Sequence, residues 1–197
     1  MPHHPIPLAP WRPVLAGILH RNRSVPYSRY LQLATVRPDG RPANRTIVFR
    51  GFLENTNQLK FVTDARSEKA DQIAQCDWGE VCWYFTQTRE QMRLGGQLTL
   101  ICENYPDSQL QQVRQMSWQE LSDAARSQFA WPHPGKARSE TTAFTVAPPD
   151  AMQPLSHFCL LLLDPIEVDH LELRGDPQNR TLYHWVKNDW TVEAVNP

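Results

Sequence analysis

The feature that most constrains the fold is a series of short segments in which apolar and polar residues alternate. Between residues 91 and 102, Met92, Leu94, Leu98 and Leu100 alternate with polar residues, which is the two-residue period of a half-buried β-strand. Further strand-like segments, separated by turn sequences such as Asp-Gly, cover 30–36, 43–50, 59–63, 80–85, 157–163, 166–173, 181–185 and 190–195. So many short strands, accompanied by a few helices, predict an antiparallel β-barrel of the α+β class.

Three segments favour helices at the edges of this sheet: 11–22, 67–76 and 105–129. Ser67 is predicted to cap the second helix. In the third, Ser117 and Glu120 have the spacing of a capping box, which predicts a helix start at Ser117. No linker divides the chain, so residues 1–197 are predicted to form a single domain.

Charge and hydropathy argue against several classes of function. The net charge of −1 gives no overall field that would attract nucleic acid. No apolar run is long enough to span a membrane, and "MPHHPIPLAPW" lacks the basic and apolar regions of a signal peptide. These features predict a cytoplasmic protein with a small-molecule ligand and neither a nucleic-acid nor a membrane partner.

The cysteines give no sign of a metal site. None of the four has a C-x-x-C spacing to another: Cys76, Cys82, Cys102 and Cys159. We therefore expect them to be reduced and buried, as in a cytosolic protein, and we expect no bound metal.

The stretch "NRTIVFRGF" points to an anionic ligand. Arg45 and Arg50 bracket the apolar run 47–49, and burying an unpaired arginine costs much free energy. A separation of five residues places the two side chains on opposite faces of a regular strand. A bulge, or a strand end at Gly51, is therefore needed if both are to contact one ligand.

Lys69 is a second sign of an anion site. It lies in the first turn of the helix predicted over 67–76, where a cation opposes the helix dipole. The free backbone N–H groups, the Ser67 hydroxyl and the Lys69 ammonium together suit a phosphate. The alternative is a solvated lysine on a surface helix, which is the commoner case for a lysine taken alone.

Four motifs resemble the FMN-binding segment of the pyridoxamine 5'-phosphate oxidase family, and the middle of the chain resembles a related branch of it. The family's R-x-x-L-L-K, Y/F-T-N, S-R-K and R-Q-V-R-x-x-G motifs appear in the same order as "RTIVFR" (45–50), "VTD" (62–64), "SEK" (67–69) and "EQMRLGG" (90–96). The resemblance covers about residues 30–103. It implies a split β-barrel, FMN as cofactor, and a homodimer with the flavin at the subunit interface.

The resemblance also implies roles for individual residues. The phosphate and ribityl chain are assigned to Arg45, Thr63, Ser67 and Lys69, while the backbone of residues 46–48 lies beside the isoalloxazine ring. The full set of expected FMN-binding residues is Arg45, Thr46, Ile47, Val48, Arg50, Val62, Thr63, Ser67, Lys69, Gln91 and Arg180.

The chain departs from the family pattern at the substrate. The family's substrate triplet Arg-Leu-His is not recognisable in "LELRGDPQNRTLY" (171–183), so we expect weak oxidation of pyridoxamine or pyridoxine 5'-phosphate. Glu68 also stands where the family has an arginine. Arg50 and Arg126 are the candidate substrate contacts. Ser127, Trp131 and Arg138 either border the pocket or form helix surface and an aromatic packing anchor.

Three functions are compatible with these sequence features to different degrees. The first is an FMN-dependent oxidoreductase, in which the protein positions the substrate and the flavin performs the chemistry. The second is a protein that binds flavin or pyridoxal phosphate for storage or sensing without turnover. The third, a barrel that binds single-stranded nucleic acid, needs a basic aromatic groove that the balanced charge does not favour.

Overall fold

The computed structural model describes residues 8–197, so the expectation about a signal peptide lies partly outside the described residues. The helices are α1 (Trp11–Arg21), α2 (Glu68–Gln75), α3 (Ser108–Gln119) and α4 (Asp123–Phe129), with a short 3₁₀ turn at Thr141–Phe144. The strands are β1 (Tyr30–Val36), β2 (Pro42–Val48), β3 (Leu59–Asp64), β4 (Trp78–Phe85), β5 (Glu90–Ile101), β6 (Phe158–Glu172), β7 (Asn179–Val186) and β8 (Asp189–Val195).

All strands belong to one antiparallel sheet that does not close. The strand order is β2-β1-β4-β5-β6-β7-β8, and β3 pairs separately with the amino-terminal half of β6. Within residues 8–197, strands β2 and β3 each have one strand partner, β1 and β6 respectively. A cleft therefore opens between these two edges, which confirms the predicted antiparallel split barrel with peripheral helices.

Strand β6 differs from the sequence-based prediction, which divided it into two strands. It runs continuously from Phe158 to Glu172 because its two halves pair with different neighbours, β3 before Pro165 and β7 after it. The register against β5 shifts at this point, between Gly95 and Gly96. A Cβ at Gly96 would lie 2.0 Å from the carbonyl oxygen of Asp164, so the close approach of the backbones requires glycine.

The helix starts are partly as predicted. Ser67 occupies the N-cap of α2, but its hydroxyl donates to the carbonyl of Asp64 at 2.7 Å and does not accept from the helix. The capping box at Ser117 is wrong, because Ser117 is a buried residue inside α3. Residues 105–129 instead form two helices, capped by the side chains of Asp107 and Ser122.

Two cysteines form a disulfide, which corrects the expectation that all four are reduced and buried. Cys102 and Cys159 are bonded, with Cα atoms 4.5 Å apart, although 57 residues separate them in sequence. Pairing of β5 with β6 brings them together, a long-range contact that their spacing along the chain does not reveal. Cys76 and Cys82 are free and half-buried.

The apolar interior positions the helices around the cleft. The main core includes Leu15 and Ile18 of α1 and the aromatic side chains Phe49, Phe61 and Trp83. A separate cluster, in which Trp118 contacts Phe129 and Phe158 at ring distances of 5.8 and 4.9 Å, fixes α3 and α4 against β6. Within residues 8–197, no helix is long and apolar enough to cross a membrane.

Candidate functional site

A cavity of about 590 Å³ occupies the cleft between β2 and β3, within the size range of small-molecule sites. Helix α4 and the segment that follows it cover the cavity. We call residues 131–139 the covering loop. The lining residues that the sequence analysis assigned to FMN are Arg45, Thr46, Ile47, Val48, Arg50, Val62, Thr63, Ser67 and Lys69, and the covering loop lines the opposite side.

Arg45 is held firmly at one end of the cavity. Its guanidinium donates to the carbonyl of Leu33 at 3.1 Å, to Oγ1 of Thr35 at 2.7 Å and to Oε1 of Gln72 at 2.9 Å. Thr35 in turn donates to the same oxygen of Gln72 at 2.6 Å. These bonds use three of the five guanidinium N–H donors, so the group is oriented while it keeps donors for a ligand.

Lys69 lies at the same end and is not a solvated surface lysine. Its Nζ donates to Oγ1 of Thr63 at 3.0 Å and to Oγ of Ser67 at 3.1 Å. Both hydroxyl groups belong to buried residues that line the cavity. The first turn of α2, with its unpaired backbone N–H groups, begins beside them.

The electrostatics of this end favour an anion. Burial lowers the pKa of Lys69, and repulsion from Arg45 lowers it further. Burial also lowers the pKa of Arg45, with a smaller contribution from Arg37. Within residues 8–197, neither cation has a carboxylate within 4.0 Å. Two half-buried cations that repel each other are stabilised by a bound anion.

Arg50 marks the other end of the cavity. Strand β2 ends at Val48, and the N–H of Arg50 then bonds the carbonyl of Lys60 at 2.9 Å. Gly51 follows with φ +107, a left-handed conformation that glycine adopts easily. This strand end resolves the problem of side-chain direction, because Arg45 and Arg50 both line the cavity. Five residues of extended chain separate them by roughly 16 Å.

The wall between these ends is largely apolar. It is formed by Ile47 and Val48 on β2 and Val62 on β3. Because β2 pairs with β1 along one edge, its other edge offers backbone N–H and C=O groups to the cleft. A cation pair, an apolar wall and a free strand edge match the phosphate, ring and polar ring edge of a flavin, so the residues present fit FMN.

Three predicted site residues lie away from this cavity. Gln91 on β5 and Arg180 on β7 are both paired with Leu171 on the β6 strand between them, so all three residues share one face of the sheet. Arg180 donates to Asp169 at 2.8 Å. Arg126 is a buried residue of α4, and its guanidinium donates to the carbonyl of Leu121 in the α3–α4 turn and to the carboxylate of Asp123.

Of the remaining candidates, Trp131 and Arg138 line the cavity and Ser127 does not. Trp131 and Arg138 both contact Phe144. The Trp131 ring lies edge-on to the Phe144 ring with centroids 5.6 Å apart, and the Arg138 guanidinium lies 4.2 Å from the centroid of the same ring. The roles assigned to individual residues, both inside and outside the cavity, stay predictions.

Sequence reasoning missed a clamp beside the site. Arg66 donates to both oxygens of Asp64 and also to the carbonyls of Phe129 at 3.0 Å and Trp131 at 3.3 Å. Burial by itself would raise the pKa of Asp64, but hydrogen bonds from Arg66 lower it below the usual value. The clamp ties the end of β3 to the start of the covering loop. No local sequence pattern predicts these contacts, because Arg66 and the two carbonyls it reaches in Phe129 and Trp131 are more than sixty residues apart in the chain.

The comparisons with known proteins agree with this geometry. A family model described as "Pyridoxamine 5'-phosphate oxidase, FMN-binding domain" matches residues 8–102. The chain is 38% identical to pyridoxine/pyridoxamine 5'-phosphate oxidase 2 of Arabidopsis thaliana over 196 residues, covering 96% of this chain and 98% of the relative.

Two solved structures share the fold. A pyridoxamine 5'-phosphate oxidase-related, FMN-binding protein from Nostoc punctiforme superimposes with a TM-score of 0.94 at 64% identity, covering 96% of this chain and 99% of that one. PhzG from Burkholderia lata superimposes with a TM-score of 0.81 at 20% identity, covering 97% and 94%, and shows the likeness of fold. The chain therefore belongs to the pyridoxamine 5'-phosphate oxidase family of FMN-binding split-barrel proteins.

Proposed function

We propose that this protein is an FMN-dependent oxidoreductase that acts on a small anionic substrate. The observation that carries the proposal is the pair Arg45 and Lys69, half-buried at one end of a 590 Å³ cavity without a carboxylate partner among residues 8–197. Such a pair costs folding free energy unless an anion is present. A phosphate group of a ligand is the anion that best matches this pair of cations.

The chain's residues hold the cofactor in three ways. Arg45, Lys69 and the hydroxyls of Thr63 and Ser67 bind the phosphate. The edge of β2 at residues 46–48 would hydrogen-bond the polar edge of the ring, and Val62 would give it apolar contact. When bound, FMN supplies two-electron redox chemistry, and the protein supplies orientation and electrostatics.

Arg50 is the proposed steering group for the substrate. It is exposed, it lines the cavity, and five residues of extended chain separate it from Arg45 by roughly 16 Å. A cation there attracts an anionic substrate towards the ring without competing for the cofactor's phosphate. Arg126, the other candidate, already bonds Asp123 and the α3–α4 turn, so it reaches a substrate only if that turn rearranges.

We also propose that the protein is a homodimer in the cytoplasm. Gln91 and Arg180 lie on the outer face of the sheet, next to the half-buried Leu171. The exposed aromatic side chains of Tyr30 and Tyr84 lie in the same sheet. A second copy packed on this face covers the apolar surface and brings Gln91 and Arg180 to the partner's flavin. Sedimentation of apo and FMN-loaded protein tests this, and an FMN-loaded monomer contradicts it.

Identification of the bound ligand is the first test of the proposed function. Mass spectrometry of the ligand released on denaturation is expected to show FMN. FAD, haem or the absence of any flavin affinity would contradict the proposal. The chain has no dinucleotide glycine fingerprint that would favour FAD.

A turnover assay separates the oxidoreductase from a flavin or pyridoxal-phosphate storage protein. An oxidoreductase bleaches the visible absorbance of its flavin when substrate is added without oxygen. A storage protein binds FMN and shows no such reaction with any candidate substrate.

Pyridoxamine and pyridoxine 5'-phosphate are the first substrates to assay. Among residues 8–197, Arg50 is the one cation of the cavity that lies away from the phosphate end and outside the covering loop. A substrate phosphate therefore has few designed partners and loses transition-state binding. We expect weak peroxide release, with kcat/KM below about 10⁴ M⁻¹s⁻¹. Efficient turnover would show that the covering loop or a partner subunit supplies the missing contacts.

A further inference from the structure

The covering loop lies beside the α2 end of the cavity at two points, and a hydrogen-bonded contact fixes it at one of them. At its start, Arg66 of the β3–α2 turn donates to the carbonyls of Phe129 and Trp131. Further along, a Cβ at Gly135 would lie 3.9 Å from Oε1 of Glu68, the first residue of α2. The loop therefore crosses the mouth of the cavity beside the first turn of α2.

The backbone before Lys136 is stiff. Pro132 and Pro134 restrict the chain, and Gly135 has φ +74, where a residue with a side chain is strained. Lys136 follows this turn directly, and it lines the same cavity as Lys69 and Ser67. The turn therefore sets the position of its backbone next to the first turn of α2.

The charge at this end is incomplete without Lys136. Arg45 and Lys69 together with Glu68 give a net charge of +1, because Asp64 is neutralised by Arg66. A phosphate monoester carries about −1.5 to −2 at neutral pH. Lys136 raises the local charge to +2, and within residues 8–197 it has no carboxylate within 4.0 Å.

The other cation of the loop is directed elsewhere. The guanidinium of Arg138 lies over the ring of Phe144 at 4.2 Å, a cation–π contact that occupies it. Lys136, in contrast, is exposed and unpaired among the described residues.

We propose that Lys136 is a phosphate-binding residue of the flavin site, delivered by the covering loop to offset the carboxylate of Glu68. The inference rests on the proposed function, since it takes the Arg45–Lys69 end as the phosphate end. It predicts that Lys136 discriminates between flavins with and without a phosphate. Riboflavin, which has the same ring and ribityl chain but no phosphate, is the matched probe.

The experiment compares dissociation constants for FMN and riboflavin, measured by flavin fluorescence with the full-length apoprotein. Lys136→Gln is expected to weaken FMN binding roughly tenfold, as for loss of one charge-assisted contact, and to leave riboflavin binding unchanged. Lys136→Arg is expected to retain most of the FMN affinity. Arg138→Gln, which removes the same charge from the same loop, is the control and should leave the ratio of the two constants unchanged.

Each other outcome is decisive. If the wild-type protein binds both flavins equally, the proposed phosphate site fails together with the inference. If the wild-type protein prefers FMN and Lys136→Gln keeps that preference, the inference fails and the proposed function stands. If Lys136→Gln and Arg138→Gln lose FMN affinity equally, the effect is one of general charge and the inference is overturned. If Lys136→Gln loses affinity for FMN and riboflavin equally, the effect is one of loop structure and the inference is likewise overturned.

Discussion

The two ends of the cavity differ in how firmly their cations are held. At one end, Arg45 and Lys69 are half-buried and bonded to the side chains of neighbouring strands and of α2. At the other, Arg50 is exposed and has no ion pair among residues 8–197. A preorganised end suits a cofactor that stays bound, while an open end suits a substrate that must enter and leave.

The largest expected effect comes from removing the best-held cation. Arg45→Ala should weaken FMN binding about a hundredfold and also lower the apoprotein's free energy of unfolding by about 1–3 kcal/mol. The stability loss follows because the Leu33 carbonyl, Thr35 and Gln72 lose their donor in a partly buried place. Fluorescence titration and urea unfolding measure the two effects. Arg41→Ala, which removes an exposed arginine paired with Asp39, is the control, and equal effects in both variants would contradict the comparison.

Lys69→Ala should weaken FMN binding roughly ten- to a hundredfold, for loss of about 1.5–3 kcal/mol. Unlike Arg45→Ala, it should not destabilise the apoprotein, because it removes a cation that burial and Arg45 both disfavour. The same two measurements apply. An unchanged FMN affinity would mean that Lys69 is an ordinary surface lysine, and a large loss of apoprotein stability would mean that its bonds to Thr63 and Ser67 are chiefly structural.

The pH dependence of FMN binding should report the lowered pKa of Lys69. The protonated amine binds the phosphate, so affinity falls as pH rises through the pKa of the free protein. Because burial and Arg45 lower that pKa, the fall should begin below the pH at which an ordinary lysine titrates. Lys69→Arg keeps its charge over this range and should remove this part of the profile. Identical profiles for the two proteins would assign the titration to another group.

Arg50→Ala should have the smallest effect on the cofactor, changing the FMN dissociation constant by less than about threefold, since it lies roughly 16 Å along the chain from Arg45. It should instead raise KM for an anionic substrate. Steady-state kinetics with FMN-loaded protein measures this. A loss of FMN affinity as large as that of Lys69→Ala would erase the distinction between the two ends.

Much of the fold follows from local patterns. The limits of β1 at Tyr30 and Val36 agree with the prediction, because its alternation is uninterrupted and an Asp-Gly turn follows. The prediction fails where the cause is distant. The alternation predicts one strand over 157–163 and another over 166–173, yet β6 continues through Pro165 because the strand changes partner there. Ser117 and Glu120 have the spacing of a capping box, but Ser117 is buried within α3.

The sequence by itself determined the approximate positions of most strands, and it supplied the cations Arg45, Arg50 and Lys69 that mark an anion site. These follow from period, turn residues and a cation in the first turn of a helix, all properties of neighbouring residues. Only the tertiary structure decided that β2 and β3 leave a cleft, and that Arg66 fastens the covering loop across it. It also decided that Cys102 meets Cys159. Each of these features depends on contacts between residues far apart in the chain. Such contacts are set by how the strands and helices pack together, and the local spacing of residues does not encode them.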